Sequence, residues 1–325
     1  MLRFGVIGTS WITRSFISGA RLSGRMEPVA VCSRDAARGA AFAADFGDLT
    51  VFTSPEAMAD SGIIDAVYIA SPNSLHAAQS RIFLSRGISV LCEKPITVTP
   101  DELEELNALA DQNGAIFLEA LIGVHLPERQ LLHQAVAKLG HVSLARIDFS
   151  QLSSKYPALC AGELPNIFNP RFATGGLMDL GIYCVFPVID LFGMPDSITA
   201  SAGFLETGAD GYGNSVWQYP DKQVHLSYNK IGQSAIGSEI IGDEGTLVIP
   251  SISQLTHMRL IKKDGTVEMV SGAKDRPTQM SFEAADFARY VSGDKTGYEA
   301  DRQLSLQISR VMYEMRQKAG ITFLP

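Results

Sequence analysis

The sequence predicts an α/β protein, with an N-terminal Rossmann parallel sheet followed by a C-terminal α+β domain on a large open, mainly antiparallel sheet. Short apolar runs alternate with helical segments over residues 1–120, whereas strand-like segments joined by short turns dominate residues 121–325. A length of 325 residues also suits two domains. We expect a dinucleotide-binding domain over 1–120 and a substrate-binding and oligomerisation domain over 121–325, whose C-terminal helix is a candidate to pack back on the first domain.

Five apolar runs of the first domain have the character of buried parallel strands: "RFGVIG" (3–8), "EPVAVCSR" (27–34), "IDAVYIASP" (64–72), "SVLCEKP" (89–95) and "AIFLEALI" (115–122). Helical segments between them span 11–22, 35–47, 74–87 and 101–114. This alternation predicts right-handed crossovers and a parallel sheet, which binds ligands beyond the carboxyl ends of its strands. The residues at those predicted ends are Gly8, Ser33, Ser71, Glu93 and Lys94.

The turn after the first strand is a weakened dinucleotide fingerprint, because Gly8-Thr9-Ser10-Trp11-Ile12-Thr13 stands where GxGxxG or GxGxxA is usual. Gly8 fits the tight turn, Ser10 takes the second glycine position, and Thr13 takes the helix-packing position. The helix that follows offers N–H groups to a phosphate. An ordinary strand–helix turn is the alternative. We predict the cofactor contacts of this turn to be Gly8, Thr9, Ser10, Trp11 and Ile12.

The end of the second strand favours NADP over NAD as the cofactor. An NAD site usually places a carboxylate there, whereas this strand ends Cys32-Ser33-Arg34, with Arg38 one helical turn further and Asp35 only adjacent. A hydroxyl and two guanidinium groups suit a 2′-phosphate. We therefore add Ser33, Arg34 and Arg38 to the predicted cofactor contacts; a solvated helix start is the alternative.

The segment "SPNSLHAAQSRIFLSRGISVLCEKPITVTPDELEEL" (71–106) resembles the glucose-fructose oxidoreductase/inositol dehydrogenase family (Gfo/Idh/MocA). That family has Pro-Asn and a His after its third Rossmann strand, followed about twenty residues later by Glu-Lys-Pro. In this sequence, Pro72, Asn73 and His76 match the first part, and residues 93–95 match the second. "FLEALIGVHLP" (117–127) and "GGLMDLGIYCVFPVIDLFG" (175–193) are similar to later family segments. The "DLGIYC" wording resembles the dihydrodiol dehydrogenase branch. The sequence departs from the family at Ser10 and at 124–125, where many relatives have Arg-Phe.

The resemblance implies an enzyme that transfers hydride between a nicotinamide and a hydroxyl or carbonyl group of a sugar, polyol or diol. It implies catalytic roles for Lys94, Asp179 and Tyr183, and adds Ser71, Asn73, His76, Glu93 and Lys94 to the cofactor contacts. Asp179 and Tyr183 are four residues apart and share a helix face. Without the resemblance, Tyr183 reads as a half-buried aromatic and Asp179 as a helix-start carboxylate.

The predicted proton chemistry pairs a phenol with an ammonium. A phenol of pKa about 10 is a poor base at pH 7, but an ammonium about 4 Å away favours the phenolate by roughly 4 kcal/mol at an effective dielectric of 20. We therefore expect Tyr183 to exchange the proton with the substrate oxygen, while Lys94 supplies the positive charge. Lys94 as the direct proton donor is the alternative. Asp179 is expected to orient Lys94 or a substrate hydroxyl, and Glu93 to fix the ribose or Lys94.

Two other functions stay open at this point. One is a non-catalytic NAD(P)-binding sensor or regulator of the same fold, which is expected to have a broken Lys/Asp/Tyr set. That set is intact in this sequence. The other is a hydrolase that uses NAD transiently for glycoside cleavage.

The second domain has predicted strands over 141–150, 198–206, 214–220, 224–230, 238–250, 258–263 and 266–270 and helices over 175–192, 280–292 and 301–318. One face of such an open sheet needs cover, so we expect a homodimer or homotetramer through the C-terminal sheet.

Composition limits the partners and the compartment. The chain is 46% hydrophobic and 19% charged, as in soluble globular proteins, and its net charge of −8 disfavours nucleic acid. The four scattered cysteines lack metal-binding spacing and suit a reducing cytoplasm: Cys32, Cys92, Cys160 and Cys184. We find no signal peptide pattern and no apolar run of ~20 residues. We therefore expect a cytoplasmic protein with a small-molecule carbonyl or hydroxyl substrate, no metal, no nucleic acid and no membrane.

Overall fold

The computed structural model describes residues 1–47 and 49–324. The chain divides into two compact units. Unit 1 contains Met1–His125 and Asp275–Leu306, and unit 2 contains Leu126–Lys274 and the residues from 307 onward. All four cysteines are free thiols, and Cys160 alone among them is exposed.

The helices, in chain order, are α1 (Trp11–Ser23), α2 (Ala36–Ala44), α3 (Pro55–Ala59), α4 (His76–Leu84), α5 (Pro100–Gln112), α6 (Ile122–His125), α7 (Pro127–Val136), α8 (Tyr156–Cys160), α9 (Ile182–Phe192), α10 (Arg276–Val291) and α11 (Tyr298–Lys318). The strands are β1 (Leu2–Ile7), β2 (Met26–Cys32), β3 (Thr50–Phe52), β4 (Ala66–Ile69), β5 (Ser89–Glu93), β6 (Phe117–Ala120), β7 (Val142–Ser150), β8 (Ser197–Phe204), β9 (Asp210–Gln218), β10 (Gln223–Asn229), β11 (Ser238–Gly242), β12 (Gly245–Ile249), β13 (Arg259–Lys262) and β14 (Val267–Met269).

Unit 1 contains the parallel sheet. Its strand order is β3-β2-β1-β4-β5-β6, and every neighbouring pair is parallel. The prediction of a Rossmann sheet is therefore confirmed. The edge strand β3 was not predicted, because its three residues are too few to show a periodic pattern.

The strand ends of this sheet pass directly into capped helices. Asp35 accepts a hydrogen bond from Arg38 N and begins α2. Thr99 and Glu102 form a capping box at the start of α5, in which each side chain accepts from the other residue's N–H. These caps fix where the loops after β2 and β5 end, and so fix the polar edge of the sheet.

The second segment of unit 1 returns from the far end of the sequence. α10 packs on α1, and a Cβ at Gly19 would lie 2.7 Å from the Cβ of Met280. The hydroxyl of Tyr298 in α11 accepts from Phe117 N at 3.0 Å and donates to Phe117 O at 3.3 Å. The packing of α10 against α1 accompanies the placement of 275–306 in unit 1, so this unit is built from two separate segments of the chain.

Unit 2 contains the larger sheet, with strand order β14-β13-β12-β11-β7-β10-β9-β8. Its neighbours are antiparallel except for β7 and β10, which run parallel. The open, mainly antiparallel sheet is therefore confirmed. The segment 238–250 is not one strand but the hairpin β11–β12, which turns at 243–244.

A long helical run crosses the core of unit 2. By length and composition, the 23 residues Pro170–Phe192 are the one stretch of the described chain that could cross a membrane. In the fold, 83% of its most apolar window is buried, as in a core helix. The run contains a short 3-10 turn (Pro170–Phe172), a π-helical turn (Leu177–Gly181) and then α9. Asp179 lies on the π-helical turn and Tyr183 in the first turn of α9.

Candidate active site

The turn between β1 and α1 requires a glycine. Gly8 has a φ of +101°, and a Cβ there would lie 2.6 Å from the carbonyl oxygen of Ala70. Ser10 precedes α1, and its hydroxyl lies 3.4 Å from Thr13 Oγ1 instead of capping the helix. The first turn of α1 is thus left uncapped by this side chain, which suits a bound phosphate. The other predicted contacts of the turn are half-buried or exposed: Thr9, Trp11 and Ile12.

The ribose end of the unit presents cations. Ser33 N donates to Phe52 O at 3.0 Å, which ties the end of β2 to β3. The Asp35 side chain caps the start of α2, so it does not take the position of the carboxylate that accepts from the ribose in an NAD site. Arg34 and Arg38 are both exposed at this end. The glycine turn, the uncapped helix start and the two guanidinium groups together fit a dinucleotide with a 2′-phosphate.

His76 ties together the loops after β4 and β5. It is fully buried, with Nδ1 at 2.9 Å from Pro95 O and Nε2 at 2.9 Å from Ser71 O. Burial lowers the pKa of His76. Ser71 also donates from its hydroxyl to Gln79 Oε1 at 2.7 Å, and Asn73 begins the short turn before α4. Because both ring nitrogens already face carbonyl oxygens, any role of His76 in cofactor binding is exerted through the two loops.

Glu93 is anchored from the neighbouring strand. Tyr68 of β4 is fully buried, stacks on Phe16 with ring centroids 3.8 Å apart, and donates its hydroxyl to Glu93 Oε1. Burial raises the pKa of Glu93, against the opposing effects of the Tyr68 hydrogen bond and the Lys94 charge. Lys94 follows at the end of β5, half-buried, and the Lys94–Pro95 peptide is cis.

Two further carboxyl groups lie beneath this strand end. Glu119 of β6 is buried and accepts from Ile96 N at 2.9 Å and from Ser305 Oγ at 2.8 Å, so it holds the loop that follows the Glu-Lys-Pro segment. Glu283 of α10 is 1% exposed, and neither of its carboxyl oxygens has a hydrogen-bond partner among the described residues. Burial and the nearby Glu93 raise the pKa of Glu283 well above its usual range.

In unit 2, the π turn lies across one aromatic ring. A Cβ at Gly176 would lie 2.9 Å from the Tyr228 ring, and one at Gly181 would lie 3.3 Å from it. The two glycines therefore let the turn that contains Asp179 approach β10 closely. π turns are rare and are frequent at functional sites, because the inserted residue re-aims the side chains around it.

Tyr183 stands in the first turn of α9, just after the π turn. It is half-buried, and its ring meets Phe149 of β7 edge to face with centroids 5.5 Å apart and planes at 87°. Pro187 lies four residues on in the same helix and cannot donate to the Tyr183 carbonyl. The ring is thus oriented by an aromatic neighbour at a point where the helix is irregular.

Asp179 has a cationic partner that the sequence did not reveal. Lys230, the residue after β10, forms an ion pair with Asp179 Oδ2. The Lys230 side chain is 2% exposed and the Asp179 side chain 38%. The Lys230 ammonium also lies 5.6 Å from the centroid of the Phe168 ring.

Asp210 holds the start of the π turn. It is fully buried, and its Oδ2 accepts from Leu177 N at 2.7 Å, while its Oδ1 has no hydrogen-bond partner among the described residues. Burial raises the pKa of Asp210 to about 6, against the effects of the Leu177 hydrogen bond and the Lys230 charge. Gly175, with a φ of +149°, passes directly over this carboxyl group.

The sequence pattern did not identify five polar residues that lie beside the predicted site residues in unit 1 or in unit 2: Tyr68, Glu119, Asp210, Lys230 and Glu283. Glu119 gave a signal, because a carboxylate in the middle of "AIFLEALI" contradicts a wholly apolar strand. Lys230 gave none, since a lysine after an exposed-looking strand is ordinary. Arg171 is exposed in the 3-10 turn, where its N–H donates to Asn169 Oδ1.

Comparison with known proteins gives the family. A model of the oxidoreductase family with an NAD-binding Rossmann fold, GFO_IDH_MocA, matches residues 2–121, and a GFO/IDH/MocA C-terminal domain matches residues 130–248. This chain belongs to the GFO/IDH/MocA oxidoreductase family. It is 39% identical to the uncharacterized oxidoreductase YgjR of Escherichia coli, over 99% of this chain and 98% of that protein. It is 36% identical to the scyllo-inositol 2-dehydrogenase (NADP(+)) IolU of Bacillus subtilis, with the same coverage.

The predicted branch is also confirmed. The chain is 30% identical to trans-1,2-dihydrobenzene-1,2-diol dehydrogenase of Mus musculus, over 70% of this chain and 67% of that protein. The fold matches KijD10, a 3-ketoreductase from Actinomadura kijaniata in complex with NADP and TDP-benzene, with a TM-score of 0.85 and 20% identity over 100% of this chain and 99% of that one. Family membership thus agrees with the dinucleotide turn and the Glu-Lys-Pro segment described above.

Because the pKa of Asp210 is raised, we expect the free energy of unfolding to depend on pH. A carboxyl whose pKa is higher in the folded state than in the unfolded state destabilises the fold once it must ionise. For Asp210 this cost grows from pH ~4 to pH ~6 and then stays at about 3 kcal/mol. Asp210→Asn removes this titrating group. The free energy of unfolding of the variant minus that of the unaltered protein should therefore rise by about 3 kcal/mol between pH 4 and pH 7, as measured by urea denaturation.

The control for this prediction is Asp221→Asn. Asp221 is an exposed carboxylate whose pKa is lowered by its hydrogen bond to Lys222, so it is ionised throughout this range and its replacement should leave the difference nearly flat from pH 4 to pH 7. A difference for Asp210→Asn that is flat from pH 4 to pH 7 would contradict the prediction.

Proposed function

We propose that this protein is an NADP-dependent dehydrogenase or reductase that acts on a hydroxyl/carbonyl pair of a sugar, polyol or diol. The observation that supports it most is the Glu-Lys-Pro segment at the carboxyl end of β5, where Tyr68 anchors Glu93. Lys94 follows at the same sheet edge as the β1–α1 turn, the predicted phosphate-binding turn. The relatives named above as dehydrogenases of scyllo-inositol and of a dihydrodiol agree with this substrate class.

The nicotinamide supplies or accepts the hydride, and the protein must handle the proton of the substrate oxygen. We assign that proton to the Tyr183 hydroxyl. The Lys94 ammonium stabilises the phenolate and the alkoxide that develops on the substrate. Lys94 as the direct donor is the alternative. Asp179 is paired with Lys230 and orients the substrate hydroxyl or the Lys94 ammonium.

The preference for NADP follows from the end of β2. Arg34 and Arg38 are exposed there, and Asp35 is engaged as a helix cap. Guanidinium groups bind phosphate through paired, charge-assisted hydrogen bonds, whereas a 2′-hydroxyl gains little from them. We also propose a cytoplasmic location, which the four free thiols support.

We further propose that the protein is a homodimer or homotetramer through the outer face of the unit 2 sheet. The part of that face at one end of the sheet, on β8, β9 and β10, is uncharged and consists of Thr199, Ser201, Tyr212, Asn214, Val216, Gln218, Gln223, His225 and Ser227. Such a surface can meet a two-fold copy of itself without like-charge repulsion. The partner is therefore a second copy of this chain.

Replacement of Lys94 or Tyr183 tests the chemistry. Lys94→Ala and Tyr183→Phe should each lower kcat by about 10²-fold or more, because each removes a group that acts on the developing charge or the proton. NADPH affinity, measured by fluorescence titration, should be retained. Turnover is followed at 340 nm with a panel of keto sugars, polyols and diols.

The control is Lys295→Ala, which removes an exposed lysine of the same unit. Full activity in Lys94→Ala would refute the role of that lysine. NADPH binding without consumption across the whole panel, in both directions, would instead favour a non-catalytic sensor. Tight cofactor retention with no reduced product released would favour the hydrolase.

Replacement of the two arginines tests the cofactor. The double variant Arg34→Ala/Arg38→Ala should bind NADPH about 10- to 100-fold more weakly and leave NADH affinity nearly unchanged, because charged hydrogen bonds of about 1.5–3 kcal/mol are lost only with the 2′-phosphate. Fluorescence titration with both cofactors measures this, with Arg25→Ala as an exposed arginine control. Equal weakening of both cofactors would contradict the assignment.

A charge on the outer sheet face tests the assembly. Val216 is 37% exposed on β9, and Val216→Lys would bring like charges together across a two-fold interface. Sedimentation equilibrium should show a smaller assembly for this variant than for the unaltered protein, and no change for Leu22→Lys on α1, which is exposed in unit 1. A monomeric unaltered protein would exclude the proposal.

A further inference from the structure

We propose that Lys230 is a positioning residue of the reaction: its buried ammonium fixes Asp179 on the π turn and thereby sets the alignment of Tyr183. This role rests on the proposed function, in which Asp179 and Tyr183 take part. Lys230 itself acts only through Asp179, because its side chain is 2% exposed.

The position of Lys230 is fixed on both sides of its backbone. Lys230 N donates to Gly211 O of β9 at 2.8 Å, and Lys230 O accepts from Ser153 N, in the segment after β7, at 2.9 Å. The side chain then passes the Phe168 ring and ends at Asp179. An ammonium held in this way can move little, so it determines where the carboxylate lies.

The two partners of the pair are buried unequally, and this difference argues for a role beyond stability. Burying a lysine is costly, and apolar side chains of similar size usually serve a structural purpose as well or better. Asp179, in contrast, has 38% of its side chain exposed. The pair therefore connects a rigid interior cation to a carboxylate that also reaches the surface of unit 2, where a ligand can meet it.

The π turn makes this anchoring necessary. A turn with i→i+5 hydrogen bonds is less favourable than the α-helical alternative and persists where its surroundings define it. Asp210 holds its beginning through Leu177 N, and Lys230 holds its middle through Asp179. Tyr183 lies four residues beyond Asp179, so the same two anchors set the rotation of its ring toward Phe149.

The test is a double-mutant cycle on kcat. Lys230→Met removes the ammonium and keeps the length of the side chain. We expect kcat to fall roughly 10- to 100-fold, with NADPH affinity unchanged. Asp179→Asn should give a similar loss. The double variant should be no slower than Asp179→Asn alone, because Lys230 acts on the reaction through Asp179.

The chain offers a matched control in the same sheet. Lys222 is also largely buried by its side chain, pairs with Asp221 and lies 5.5 Å from the centroid of the Phe192 ring, but it has no contact with the π turn among the described residues. Lys222→Met should leave kcat unchanged. Urea denaturation of each variant shows whether it is folded under the assay conditions.

The outcomes separate the two proposals. No turnover by the unaltered protein overturns the proposed function and this role with it. An active unaltered protein whose Lys230→Met variant matches Lys222→Met overturns the role alone, as do independent, multiplying effects in the cycle. If Lys230→Met does not fold, Lys230→Arg replaces it. Arginine keeps the charge but moves it, so kcat should fall in a folded protein, and unchanged kcat would overturn the role.

Discussion

The dinucleotide half of this protein depends on how the ends of β4 and β5 are tied together. The His76 ring lies between a carbonyl oxygen of each loop, at Ser71 and Pro95, and can donate to one of them, while Glu119 holds the next residue, Ile96. Parallel strands leave their last polar groups at one edge, so these groups need partners that are not part of the sheet. Buried side chains supply them, and the Glu-Lys-Pro segment has a defined position as a result.

The same principle operates in unit 2 with different residues. The π turn is irregular, and its backbone and its carboxylate are held by Asp210 and Lys230, both fully buried. In each unit, then, the half-buried residues predicted to be catalytic lie on backbone that buried polar side chains hold in place. Such groups are costly to bury, and their mutual attraction and hydrogen bonds offset that cost only when the geometry is kept.

The sequence predicted the elements whose signals are local. Alternating apolar runs identified the parallel sheet, and the spacing of Gly8, His76 and Glu93-Lys94 identified its ligand edge. Sequence reasoning did not identify Lys230, Asp210 or Glu283, because their importance comes from partners 30 or more residues away, such as Asp179 and Leu177. It raised the possibility that the C-terminal helix packs back on the first domain but did not indicate that α10 packs on α1, since nothing in an amphipathic helix specifies the surface that it will cover.

The packing of α10 on α1 has a consequence for synthesis. The helix that begins at the phosphate turn is complete within the first 23 residues, but the surface it packs against arrives only with residues 276–291. The parallel sheet therefore leaves the ribosome with one helix flank uncovered while all of the larger sheet is being made. Contacts of such long sequence separation form late, so the N-terminal segment should need protection from aggregation until nearly the whole chain has emerged.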